Sequence, residues 1–117
     1  MSNIRFSPYR SNTEQAWAMV GQFLIADKFN ATVKWWSYEA IRLALGNAWY
    51  TPDFIYWLSD GRVVLVEVKG SKKQKGYRDS RTRQRVATGL FPLFVFVEAL
   101  YAGNRNFNLE IWENKRG

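Results

Sequence analysis

Two carboxylates and a lysine, Asp53, Glu67 and Lys69, interrupt the most apolar stretch of the sequence. Buried acids are costly unless they are paired or bind a cation, so their presence there needs a reason. Lys69 follows Glu67 by two residues and projects from the same face of a strand. If Asp53 faces Glu67, the three make a site of two carboxylates and one ammonium. Such a site holds a hard divalent cation, preferably magnesium, and still offers positive charge to a phosphate or an attacking water. The competing account is a buried salt bridge of Lys69 with Glu67 or Asp53. The chain has no histidine and no cysteine, so disulfides and the usual zinc ligands are excluded and any metal must be held by oxygen.

Whether Asp53 and Glu67 meet depends on the hairpin that carries them. Tyr50 to Leu58 and Arg62 to Gly70 are two strands around Ser59-Asp60-Gly61, apolar on nearly every residue, so both faces are expected to be buried. A three-residue loop closed by glycine in the left-handed region pairs Leu58 with Arg62, and counting outward places Asp53 opposite Glu67. Residues paired this way share a face about 5 Å apart. A two-residue Asp60-Gly61 loop would instead pair Asp53 with Val68 and put the carboxylates on opposite faces. The chemical reading requires the longer loop.

Other elements must frame this hairpin. Ser11-Asn12-Thr13-Glu14 has the form of a capping box and opens a helix from about Asn12 to Lys28, with Trp17, Val20 and Leu24 on its apolar side and Phe23 beside them. Thr32 to Leu45, rich in β-branched and aromatic residues, reads as one long or broken strand ended by Asn47. After a polar basic loop from Gly70 to Gly76, Asp79 or Ser80 can cap a second helix running to about Gly89, where Phe91-Pro92 breaks it. Leu93 to Val97 is a last core strand, and Asn106 to Trp112 an added edge strand. The order helix, three strands, helix, strand describes one α/β (α+β) domain over residues 1–117, its central mixed sheet flanked by helices.

The net charge of +7 is concentrated. Between residues 69 and 85 eight basic side chains face the single acid Asp79, while the other 100 residues carry nine bases and nine acids. Charge gathered this way attracts a phosphate backbone, although a solvated basic face gives the same pattern. Lys72, Lys73 and Lys75 in the loop, with Arg78, Arg81 and Arg85 on one side of the second helix, are the candidate nucleic-acid contacts. Trp17 and Trp57 are expected in the core. Trp35, Trp36 and Trp49 are the tryptophans with a chance of exposure, for base stacking or for a homodimer contact. The longest apolar run, Leu90 to Val97, is too short to span a bilayer and contains Pro92, so no membrane partner is expected and the protein reads as soluble and cytoplasmic.

Tyr50-Thr51-Pro52-Asp53-Phe54, followed by Val66-Glu67-Val68-Lys69-Gly70, resembles the signature of the PD-(D/E)XK, restriction-endonuclease-like superfamily. Glu14 on the first helix, Asp79-Ser80-Arg81 at the second and Leu90 to Phe96 are similar to small phage-encoded endonucleases related to endonuclease I and Holliday-junction resolvases. The resemblance covers nearly the whole chain. It implies a restriction-endonuclease-like core of order αβββαβ and magnesium-dependent hydrolysis of DNA phosphodiesters, with manganese able to substitute, in a phage-infected bacterial cytoplasm. Asp53 and Glu67 are then metal ligands, Lys69 stands near the nucleophilic water, and the carbonyl of Val68 is a further ligand. A first-helix acid, here Glu14, often completes the site in that superfamily. The capping box explains Glu14 equally well, and Glu39 competes for the role. The alternatives are a nucleic-acid-binding module of the same fold that does not cleave, and a phage protein that binds a protein partner through its aromatic surface.

Overall fold

A computed structural model of the chain describes residues 8–73 and 76–112. In chain order the elements are α1 (Asn12–Phe29), β1 (Val33–Tyr38), β2 (Leu43–Ala44), β3 (Trp49–Tyr50), β4 (Phe54–Leu58), β5 (Val63–Lys69), α2 (Tyr77–Leu90), β6 (Phe94–Gly103) and β7 (Asn106–Trp112). Five strands form a mixed sheet in the order β1-β4-β5-β6-β7, and β2 and β3 form a separate two-stranded ribbon. Strands β5 and β6 are parallel, joined across α2, and the other neighbours are antiparallel. The architecture is mixed α and β with two helices.

The cap on α1 forms as its sequence dictates, with Ser11 Oγ accepting from the Glu14 N–H at 3.1 Å. Asn30 ends the helix in the left-handed region at φ 51°, its N–H returned to the carbonyls of Ala26 and Asp27. The buried stripe is Trp17, Gly21, Ile25 and Phe29, while Phe23, expected beside it, is 66% exposed on the outer side. Trp17, Ile25 and Phe29 pack on Phe54, Tyr56, Leu58, Val64 and Val66, the residues of β4 and β5 that face α1. The opposite face of the same strands, Ile55 and Leu65, packs with Phe96, with Ala87 of α2 and with Leu43 and Tyr50 of the ribbon. Two-sided burial accounts for the unbroken apolar run of the hairpin. Trp57 departs from it: this residue, expected in the core, is 45% exposed, with the Lys34 ammonium 4.6 Å over its ring.

The hairpin takes the longer loop. Phe54 pairs with Val66 and Trp57 with Val63, the Leu58 N–H donates to the Arg62 carbonyl at 2.9 Å, and Gly61 sits at φ 92°. Of the two forms open to the second element, one long strand or a broken one, the chain takes the broken one. Glu39 turns to φ 47° after β1, and Gly46-Asn47 folds β2 onto β3. Three boundaries differ from expectation. The first hairpin strand, expected from Tyr50, begins only at Phe54, because Tyr50 pairs with Leu43 in the ribbon and Pro52 has no N–H for the ladder. The last core strand runs past Val97 to Gly103, because Asn104 and Arg105, both at positive φ, turn it directly into β7 as a long edge hairpin. Helix α2 starts at Tyr77, and neither Asp79 nor Ser80 caps it; its N-cap is Gly76, without a side-chain hydrogen bond. Among the described residues no helix is long and apolar enough to cross a membrane.

Candidate functional site

Asp53 stands one residue before β4, between Pro52 and Phe54, where continuing the ladder sets it against Glu67. Its carbonyl accepts from the Glu39 N–H at 2.8 Å, so the turn after β1 braces it. Its carboxylate accepts from the Val68 N–H at 2.8 Å. Burial pushes the Asp53 carboxyl well above the usual carboxylate range; the charge of Glu67 adds to this, the Val68 N–H opposes it, and Glu14 raises it further.

Glu67 and Lys69 project from β5 on the side that faces α2. Glu67 Oε1 accepts from the Tyr50 hydroxyl at 2.9 Å. Its Oε2 accepts from the Ser80 hydroxyl at 3.1 Å and lies 3.2 Å from Lys69 Nζ, which itself donates to Ser80 Oγ at 2.7 Å. Glu67, Lys69 and Ser80 are all buried. The salt-bridge geometry is therefore present, and Ser80, inside the first turn of α2 and not at its N-cap, gives its hydroxyl to it. Burial, then the charge of Glu67, raises the Tyr50 hydroxyl well above its ordinary value, which keeps it a donor to that carboxylate.

Glu14 meets the same cavity from α1. Its Oε1 accepts from the Arg10 N–H at 2.9 Å and from the Tyr38 hydroxyl at 2.8 Å. The box is thus half formed: the side chain reaches back past Ser11 to the preceding residue and across to β1. Burial and the bond to Glu14 raise the Tyr38 hydroxyl. Glu39 lies at the rim, paired with Arg10 at 3.0 Å.

One polar cavity of about 380 Å³ joins these groups. Four carboxyls line it (Glu14, Glu39, Asp53 and Glu67) together with three cationic side chains (Arg10, Lys69 and Arg83), and Val68 and Trp49 are also in its wall. Among the described residues no set of three or more His, Cys, Asp or Glu side chains is arranged to hold a metal ion. The donor set nonetheless fits magnesium, which takes oxygen ligands and commonly uses one or two carboxylates with water and phosphate for the rest. A cation between Asp53 and Glu67 would also relieve the repulsion that raises the Asp53 carboxyl.

The basic segment divides. Lys72 and Lys73 border an open surface hollow with Tyr77 and Arg78, and Lys75 lies outside the described residues. Arg81 and Arg85 share a helix face as expected, but that face turns to β7 and not to the cavity. The Arg81 guanidinium donates to the Tyr77 hydroxyl at 2.6 Å and lies 4.6 Å over the Trp112 ring, with Arg85 5.5 Å from the same ring. Because α2 turns about 100° per residue, the arginine one helical turn after Ser80, Arg83, faces the cavity instead.

Arg10, Tyr50, Ser80 and Arg83 are thus among the members of the site to which sequence reasoning gave no role in it. The Ser80 and Arg83 spacing of three was a usable signal once Glu67 was placed. Compared with known proteins, the chain matches no family model, no curated protein and no solved structure.

Proposed function

We propose that this chain is a magnesium-dependent nuclease of the PD-(D/E)XK, restriction-endonuclease-like class. It hydrolyses DNA phosphodiester bonds as a structure-selective or non-specific phage endonuclease akin to the junction resolvases. The observation that carries the reading is the convergence of Asp53, Glu67 and Lys69 on one polar cavity with an exposed arginine, Arg83, beside them. The element order is compatible with the restriction-endonuclease-like core, with the β2–β3 ribbon inserted before the hairpin and β7 added at the edge.

Asp53 and Glu67 would hold the cation, with Val68 and Glu14 the nearest groups able to add to them. The metal, when bound, lowers the pKa of a water and stabilises charge on the phosphate. Tyr50 and Ser80 fix the Glu67 carboxylate in place. Lys69, whose ammonium lies 3.2 Å from Glu67 Oε2, would offer its positive charge to the attacking water or the phosphate. Arg83, reaching the cavity from α2, would bind a non-bridging phosphate oxygen.

One observation favours a second reading, a DNA-binding module that does not cleave: both oxygens of Glu67 are already satisfied by Tyr50, Ser80 and Lys69 without a cation. Incubation with linear, nicked, supercoiled and four-way-junction DNA, with and without magnesium, separates the two. Magnesium-dependent breakage of any of these supports the nuclease. Retention of all four without breakage supports the binding module.

A further inference from the structure

The β2–β3 ribbon exposes a tryptophan at the mouth of the cavity. Trp49 and Tyr50 are successive strand residues, so their side chains leave opposite sides of the ribbon. Tyr50 turns inward and donates to Glu67 Oε1, which ties the ribbon to the carboxylate at 2.9 Å. Trp49 turns outward, is 54% exposed, and yet lines the same cavity as Asp53 and Lys69. The Arg42 guanidinium stacks 4.4 Å over its ring, which restricts the indole and adds a positive charge next to it. A large aromatic left half in water beside a carboxylate cluster does not serve the core, which the ribbon already fills with Leu43 and Tyr50.

We infer that Trp49, steadied by Arg42, is a stacking platform for an unpaired base of the strand whose phosphate enters the Asp53 and Glu67 cavity. The inference rests on the nuclease reading for what happens to that phosphate, but the stacking itself needs only binding. Inside a duplex each base is already stacked on both faces, so an indole gains a base only where the nucleotide is unpaired or turned out. The site therefore selects DNA with an unpaired nucleotide, as at a flap, a bulge or a junction, over intact duplex. Trp49 acts as a specificity-determining residue that touches substrate, separate from the groups that act on the phosphate.

The test uses the full chain and two duplexes, one intact and one carrying a single bulged 2-aminopurine, with calcium in place of magnesium for binding. The wild type is expected to bind the bulged duplex more tightly and to quench its 2-aminopurine. Trp49→Ala should weaken binding to the bulged duplex by roughly 5- to 150-fold, abolish the quench and leave binding to intact duplex unchanged. Trp49→Phe, which keeps a ring, should retain most of the preference. Trp57→Ala, which removes an exposed tryptophan of the sheet, should change nothing. If Trp49→Ala keeps the wild-type ratio of affinities, or Trp57→Ala loses it equally, the platform is refuted. Cleavage is read separately in magnesium, on these duplexes and on linear, nicked, supercoiled and four-way-junction DNA: a wild type that cuts none of them overturns the nuclease reading, while the binding ratios still decide the stacking.

Discussion

Asp53 is a buried carboxyl beside a second one, Glu67, and the conflict has a measurable sign. Its carboxyl is raised by burial first and by Glu67 second. Above the ordinary carboxylate range, near pH 4, the unfolded chain has released this proton while the folded chain still holds it. The folded state then binds more protons, so stability falls as pH rises, levelling off once the folded carboxyl also ionises. Asp53→Asn removes that dependence while keeping an oxygen for the Val68 N–H. In metal-free buffer the melting temperature of Asp53→Asn minus that of the wild type should therefore grow as pH rises from about 4. Parallel curves for the two proteins would contradict the assignment. Asp53, Glu67 and Lys69 were legible because charged residues stand out in an apolar hairpin. Tyr50 was not, because its contact with Glu67 exists only after the ribbon folds back.

The hairpin was the most legible element: of the two loops that Ser59-Asp60-Gly61 allowed, the chain takes the three-residue one, and that loop fixes the facing of Asp53 and Glu67. The cap at Ser11 and the left-handed Asn30 set α1 just as directly. The ribbon straddles two expected elements: β2 lies in the Thr32 to Leu45 stretch, and Tyr50 of β3 in the strand expected to run to Leu58. Its signal was Gly46-Asn47, a two-residue turn with glycine at the first position, but strands of two residues leave no periodicity to detect. The Asn104-Arg105 turn lacks glycine at either central position, so the length of β6 was equally obscure.

Close approach of α1 to the sheet gives a prediction at Gly21. A Cβ there would lie 2.5 Å from the Tyr56 hydroxyl and 2.6 Å from the Trp17 ring, which are themselves joined by a 2.7 Å hydrogen bond. Gly21→Ala should therefore lower stability by about 1–3 kcal/mol through overpacking, despite the better helix propensity of alanine. Denaturant unfolding measures it, and a stabilised variant would show that α1 does not pack this closely.

The total charge and its concentration in residues 69–85 were plain from the sequence, but not which way each side chain turns. Helical geometry sends Arg83 to the cavity and Arg81 and Arg85 to Trp112, and leaves Lys72 and Lys73 on the open surface. If the two lysines bind phosphate, Lys72→Gln with Lys73→Gln should reduce the log-log salt slope of DNA binding by roughly 0.9 for each phosphate no longer neutralised, alike for all sequences. An unchanged slope would assign them to solvent. Magnesium-dependent thermal stability, followed together with DNA cleavage in the wild type, Asp53→Asn and Lys69→Ala, joins the site to its chemistry. Magnesium should stabilise the wild type by about 2.7 kcal/mol at a hundredfold excess over Kd, and so raise its melting temperature, by binding the native state. Asp53→Asn should lose both the rise and cleavage, whereas Lys69→Ala should lose cleavage and keep the rise, because an ammonium is no ligand. Asp53→Asn cutting DNA at the wild-type rate in magnesium would contradict the nuclease reading.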